Sequence, residues 1–214
     1  MDTRTEAQVK QGGRGFSRIF GRQSFFLVAI IVVLAIAAGI INPKFFVMRN
    51  LINILEQISV LGLVAAGMTI LIISGNFDIS VGNIIGLAAC LMAMLLKTGM
   101  NEVLAALIGI LVCVACSLLN GALSIRLGAP SFIISLATIG VFHGTALAVT
   151  EGVIQTIYGQ FGAISNTSLF NALPLMFVIS GRGVVFVHLI LNNARLGRGG
   201  FAIGANRRAA VLSR

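Results

Sequence analysis

Polar and apolar positions along the chain fall into long blocks rather than a fine alternation. Uncharged apolar runs occupy residues 24–41, 57–74, 79–96 and 103–125; a fifth, 127–150, and a sixth, 173–191, follow, the last interrupted by Arg182. A bilayer core of about 30 Å is crossed by a helix of about 20 apolar residues, so each run predicts a transmembrane helix. Within the fifth run the helix is expected to begin at Pro130, a residue suited to a first turn. The remaining charges sit in the connections: Lys44, Arg49 and Glu56, then Asp78, Lys97 and Glu102, Arg126, and Glu151. The pattern predicts an all-α polytopic transmembrane bundle of about six spans. Its membrane domain covers 24–191, between an amino-terminal tail, 1–23, and a final segment, 192–214.

Composition removes the competing classes. Hydrophobic residues make up 57% of the 214 and charged residues 10%, with a mean hydropathy of +1.03. A soluble domain carries about 25% charged residues to cover its surface, and disorder needs low hydrophobicity, so both are excluded. The net charge of +9 would suggest nucleic acid in a soluble protein. Ten of the 15 cations lie instead in the two ends: Arg4, Lys10, Arg14, Arg18 and Arg22, then Arg195, Arg198, Arg207, Arg208 and Arg214. That is the positive-inside pattern of a membrane protein with both ends cytoplasmic, in contact with membrane lipid, and no nucleic-acid partner is expected. The loop 151–172 has no Lys or Arg and falls outside, as do Lys44, Arg49 and Lys97. The charged leader of 22 residues and the long first run exceed a signal peptide's usual 7–15 apolar residues, so the first span is expected to stay.

Cys113-x-x-Cys116 has the spacing of a redox or zinc pair but lies inside an apolar run without partner ligands. Like Cys90, these two read as small buried residues. No metal or cofactor is expected. Small residues four apart let helices approach closely in lipid: Gly82/Gly86 and Gly140/Gly144 are full pairs, Gly62/Ala66 and Ala105/Gly109 looser ones.

Three places carry polar chemistry. In 74–82 (Ser-Gly-Asn-Phe-Asp-Ile-Ser-Val-Gly) a glycine-flanked link joins two apolar runs, freeing backbone groups that in lipid need partners in protein or a water-lined cavity. Discontinuous helices build substrate sites in this way, which makes Gly75, Asn76, Asp78, Ser80 and Gly82 candidates for a solute path. The same residues fit a plain helix cap by Asp78 or Ser80. The second place is Ser131, Ser135 and Thr138, spaced i, i+4 and i+7 on one helix face. Their hydroxyls could line a path, back-bond to the helix or join helices. The third is the basic final segment, where Asn206 could cap a short helix through Ala209 and Ala210. It reads either as a docking element or as a solvated tail on anionic lipid. Arg182 is either a functional intramembrane cation or a snorkelling one.

At these residues a family likeness emerges. Gly67-Met68-Thr69 with Ile73 to Gly82 closely resembles the glycine–acid signature of sugar-type ABC importer permeases, the ribose, xylose, arabinose and galactoside group. Pro130-Ser131-Phe132-Ile133 with Leu136-Ala137-Thr138 resembles that family's next block. Gly197-Arg198, Phe201-Ala202-Ile203-Gly204, Asn206, Ala209-Ala210 and Leu212-Ser213 resemble its cytoplasmic docking loop. The three stand in order across most of 45–213.

The resemblance implies a bacterial inner-membrane subunit that moves a pentose- or hexose-like sugar. Its implied partners are two ABC ATPase subunits, a periplasmic sugar-binding protein and a second permease subunit, identical or different. It implies that 75–82 lies near the translocation path and that Arg198, Gly204, Asn206, Ala209 and Ala210 belong to the ATPase-docking segment. No catalytic residue is expected, and the sequence has no G-x-x-x-x-G-K-[S/T] phosphate loop. The chain departs from the family at Gly199-Gly200, at Arg207-Arg208, at 180–183 and at Arg214, where a glycine is usual. The family continues with further spans, which suggests a truncated permease. The rivals are an ion- or proton-coupled secondary carrier, for which Asp78, His143 and Arg182 are the available ionisable groups, and an inactive truncated remnant.

Overall fold

The computed structural model describes residues 22–162, 167–169 and 173–205. Seven α-helices account for nearly all of them: α1 Arg22–Ile41, α2 Met48–Ile73, α3 Val81–Lys97, α4 Glu102–Leu127, α5 Ser131–Thr150, α6 Leu175–Asn193 and α7 Arg195–Ala205. A 3₁₀ turn, Pro43–Phe46, lies between α1 and α2. Two short antiparallel strands, β1 Ser168–Leu169 and β2 Leu173–Pro174, precede α6. The six apolar runs are the first six helices. Four of these, α2, α4, α5 and α6, are long and apolar enough to cross a membrane; α1 and α3 are shorter apolar helices. The fold is an all-α polytopic membrane bundle.

Helix ends follow local chemistry. Asn101 accepts the N–H of Val103 at 2.9 Å to start α4, and Glu102 places its negative charge in the first turn, where the helix dipole favours it. Gly128 stops α4 at φ 62°, a conformation glycine enters without a side-chain clash. Pro130 stands one residue before α5, at its N-cap rather than inside its first turn, and Pro174 does the same for α6.

The chain divides into two compact units, Met1–Asn53 and Ile54–Arg214. In the first, α1 is apolar on every side, the mark of a helix surrounded by lipid or other helices. Phe46 lies over Gly39, and the Phe45 and Phe46 rings meet edge to face, centroids 5.1 Å apart.

In the second unit α3, α4 and α5 pack together. Ile84, Leu87 and Phe142 form the buried centre, with Leu91, Val112, Cys113, Cys116 and Ala146 against them. Cys113 and Cys116 are therefore small packing residues, half-buried rather than buried as the sequence suggested; Cys90 is half-buried too, and all three are free thiols. Lipid is as apolar as leucine, so close packing and hydrogen bonds carry more of this association than burial does. The looser small-residue pairs are the ones in contact. Ala105 is fully buried, a Cβ on Gly109 would meet Met92, and one on Gly62 would lie 3.5 Å from the Ser180 hydroxyl of α6. Gly82, Gly86, Gly140 and Gly144, the full pairs, have open space beside them. Spacing alone could not show which small faces are covered.

Candidate functional site: the break between the second and third helices

The segment between α2 and α3 is a helix terminus followed by a bonded loop. Gly75 sits at φ 77°, its N–H bonded to Ile72 O at 3.0 Å, while the Asn76 N–H reaches Leu71 O at 2.9 Å. This is the Schellman arrangement, with glycine in the left-handed position just past the helix. Asn76 turns its amide back to the carbonyl and hydroxyl oxygens of Ser74, both at 3.3 Å.

The next N–H groups are taken by side chains from elsewhere. Phe77 N–H donates to the Ser131 hydroxyl at 3.0 Å and Ile79 N–H to the Ser135 hydroxyl at 3.2 Å. Ser80 gives both its N–H (2.8 Å) and its hydroxyl proton (2.6 Å) to Asp78 Oδ1. From α4, Asn120 Nδ2 donates to the Ser80 hydroxyl at 2.8 Å and to Asp78 Oδ2 at 3.3 Å. In lipid a broken helix survives only if its freed backbone groups find partners within the protein. Here two serines of α5 and the Asp78 carboxylate supply them, and the Asn120 amide holds the Asp78 and Ser80 side chains in place.

The plain reading had Asp78 or Ser80 capping α3; Ser80 holds the N-cap position without a side-chain cap bond, and Asp78 takes the N–H of Ser80 itself, the residue just before the helix. Ser131 and Ser135 meet the break. Thr138 does not; its hydroxyl donates to Ser135 O, 3.1 Å away in its own helix. Gly82 lies two residues beyond Ser80, with open space beside it.

A cavity of about 500 Å³ opens between the second half of α2, the break and α4. Leu63, Met68 and Leu71 form an apolar wall; Asn76, Asp78, Asn120 and Ser131 contribute polar atoms, and among the described residues no Lys or Arg lines it. Sequence reasoning missed Asn120. It is the one carboxamide inside the apolar α4 run, and a polar residue inside a span is itself a signal. Asn120 is buried, and its Oδ1 has no hydrogen-bond partner within the described residues. The cavity therefore offers hydrogen-bond acceptors, Asn120 Oδ1 and the lightly used Asp78 Oδ2, beside an apolar wall. That is an environment for a small uncharged solute rich in hydroxyl donors.

The docking candidates divide. Arg198 donates from Nη1 to Asn193 O at 3.0 Å, closing the end of α6. Gly204 lies at the end of α7, against the backbone of Ile73. Asn206, Ala209 and Ala210, and the short helix expected there, lie outside the described residues; a helix occupies Arg195–Ala205 just before them. Of the residues expected to be available for ion coupling, Asp78 lies in the break, His143 is exposed on α5 and Arg182 is exposed eight residues into α6. His188 bonds Asn192 one turn along α6. No group of three or more His, Cys, Asp or Glu able to hold a metal occurs among the described residues.

The comparisons agree with this picture. The model of a permease family, described as branched-chain amino acid transport system / permease component, matches residues 50–213, a stretch that contains the break, the α5 serines and α7. The chain belongs to that family. The permease is 32% identical to the ribose import permease protein RbsC of Bacillus subtilis, over 97% of this chain and 65% of that one. It is 31% identical to the autoinducer 2 import system permease protein LsrD of Salmonella paratyphi A, over 87% of this chain and 58% of the relative. Against the RbsC of Escherichia coli the identity is 28%, over 96% of this chain and 65% of the other. The permease thus spans about three fifths to two thirds of the length of these relatives. No solved structure matches it. The family read from the three motifs is the one found.

Proposed function

We propose that this permease is the membrane subunit of an ATP-driven importer that carries a pentose- or hexose-like sugar across a bacterial inner membrane. ATP is hydrolysed by separate ABC subunits, a periplasmic sugar-binding protein delivers the solute, and a second permease subunit completes the path. The amino terminus (1–23) and the segment 192–214 are cytoplasmic, and the ATPase docks on the latter at Arg198, Asn206, Ala209 and Ala210. Gly75, Asn76, Asp78, Ser80, Ser131 and Ser135 belong to the path, joined by Asn120; Gly82 and Thr138 flank it.

The observation that carries this reading is the family match through 50–213 with two ribose permeases among the relatives. The cavity fits the same cargo. Its acceptors suit sugar hydroxyls, whereas an amino acid carboxylate would face Asp78 with no cation among the described lining residues to offset it. The test is uptake of labelled ribose by vesicles holding the permease with its cognate ATPase and receptor. Uptake that follows ATP and ignores an uncoupler supports the proposal. Uptake that collapses with the uncoupler while ATP is constant supports an ion-coupled carrier, and no uptake by the assembled system supports an inactive remnant.

A further inference from the structure

Two glycines of the helix α7 lie against the backbone of the rest of its unit. Gly197 and Gly204 are seven residues apart, two helical turns, and so share one face. A Cβ on Gly197 would run into the carbonyl oxygens of Ile190 and Leu191 near the end of α6. A Cβ on Gly204 would run into the carbonyl oxygen of Ile73, the last residue of α2; the Ile73 carbonyl carbon would be 3.1 Å away and the Gly75 nitrogen 3.6 Å. Reciprocally, a Cβ on Gly75 would lie 3.9 Å from the Gly204 Cα. Backbone meets backbone here, and a main-chain carbonyl cannot swing aside as the tip of a side chain can. Leu196 and Ile203, also seven apart, are exposed on α7.

We propose that Gly204 is the point through which α7 moves the α2–α3 break, a positioning residue that couples the docking segment to the polar cavity. The inference rests on the importer reading, in which the ATPase moves α7. A shift of α7 reaches Ile73 and Gly75 directly. Gly75, already at φ 77°, is the hinge that absorbs it. Asp78 and Ser80 lie three and five residues beyond that hinge, and Asn120 one hydrogen bond beyond Ser80. Gly204 therefore acts inward, on the permease's own backbone, and not as a surface the ATPase grips.

Two arms test it. The first needs no partner: with Cys90, Cys113 and Cys116 replaced by alanine, spin labels at Ser74→Cys and Ala205→Cys in membrane vesicles should show strong dipolar broadening that Gly204→Val weakens. Absence of broadening overturns the contact whether or not the chain transports. The second arm uses the assembled importer. Gly204→Ala should leave ATPase co-purification within twofold of the parent, keep ATP hydrolysis, and raise the ATP consumed per ribose moved at least tenfold. Gly75→Ala, which alters the hinge without changing the sequence of α7, should do the same, and Gly181→Ala, facing open space, should not. Loss of ATPase binding in Gly204→Ala makes Gly204 a docking contact and overturns the proposal, as does unchanged coupling. If the parent chain binds no ATPase, the importer reading fails and the coupling role with it, while the broadening still reports the contact.

Discussion

The hydroxyl oxygen of Ser135 accepts the backbone N–H of Ile79 at 3.2 Å, joining positions 56 residues apart. Ser135 is 1% exposed and its own proton goes to Phe132 O at 2.9 Å, so both halves of the hydroxyl are used. The break between α2 and α3 is thereby fastened to α5, and the shape of the cavity depends on a helix that touches it mainly through serine.

Ser135→Ala should strand the Ile79 N–H and cost about 1–3 kcal/mol, the usual penalty for a buried donor left unpaired. Thr138→Val removes a hydroxyl that bonds only within its own helix, and should cost less than about 1 kcal/mol. Thermal unfolding of the two variants in one detergent measures the difference, with Ser135→Ala expected to unfold at the lower temperature.

Asp78 and Asn120 form an acceptor–donor pair at 3.3 Å, with Ser80 bonded to both. Asp78→Asn places two amide groups together, and Asn120→Asp places two carboxylates together; each should destabilise. The double exchange restores one acid and one amide across the same contact. It should recover part of the loss, with a coupling of about 0.5–3 kcal/mol in a double-mutant cycle. Strictly additive losses would mean that the two side chains do not interact.

At the opposite end of α4, Glu102 accepts the N–H of Phe161 at 3.0 Å and Lys97 donates to Gln155 at 2.6 Å, holding the loop after α5 from two sides. Phe161 is itself in the left-handed region at φ 60°. Glu102→Ala should free this loop and speed chymotryptic cleavage at the exposed Tyr158 severalfold, read by mass spectrometry of sealed vesicles. Global unfolding temperature should hardly change, because the bonds are solvent-exposed and worth about 1 kcal/mol or less.

Six helices were legible because lipid leaves few alternatives: a long uncharged run has almost nothing else to be. The break at Gly75 to Ser80 was legible for the same reason, since polar residues between apolar runs must be satisfied somewhere. The partners of the break were only half visible. Ser131 and Ser135 stood out by their i, i+4 spacing, but Thr138, one turn on, bonds its own helix, and periodicity cannot tell a hydroxyl that reaches outward from one that folds back. Asn120 was hidden because its role depends on the packing of α4 against α3, a contact 40 residues long-range in sequence. The glycine pairs failed for a related reason: Gly82/Gly86 and Gly140/Gly144 have the better spacing and open space, while Gly62 and Gly109 carry the contacts. The reach of Gly204 to Ile73 has no local signature at all.

The central claim is that the cavity beside the break lies on the route of a sugar. Ser117 lines that cavity, is exposed, and differs from cysteine by one atom. The most direct test is the labelling rate of Ser117→Cys, in a chain whose native cysteines are alanine, by a membrane-impermeant thiol reagent during ATP turnover. The account predicts that the thiol is reached by water-borne reagent and that ribose delivered by the receptor slows the labelling at least severalfold. A thiol that never labels, or one whose rate is the same with and without ribose, would contradict it.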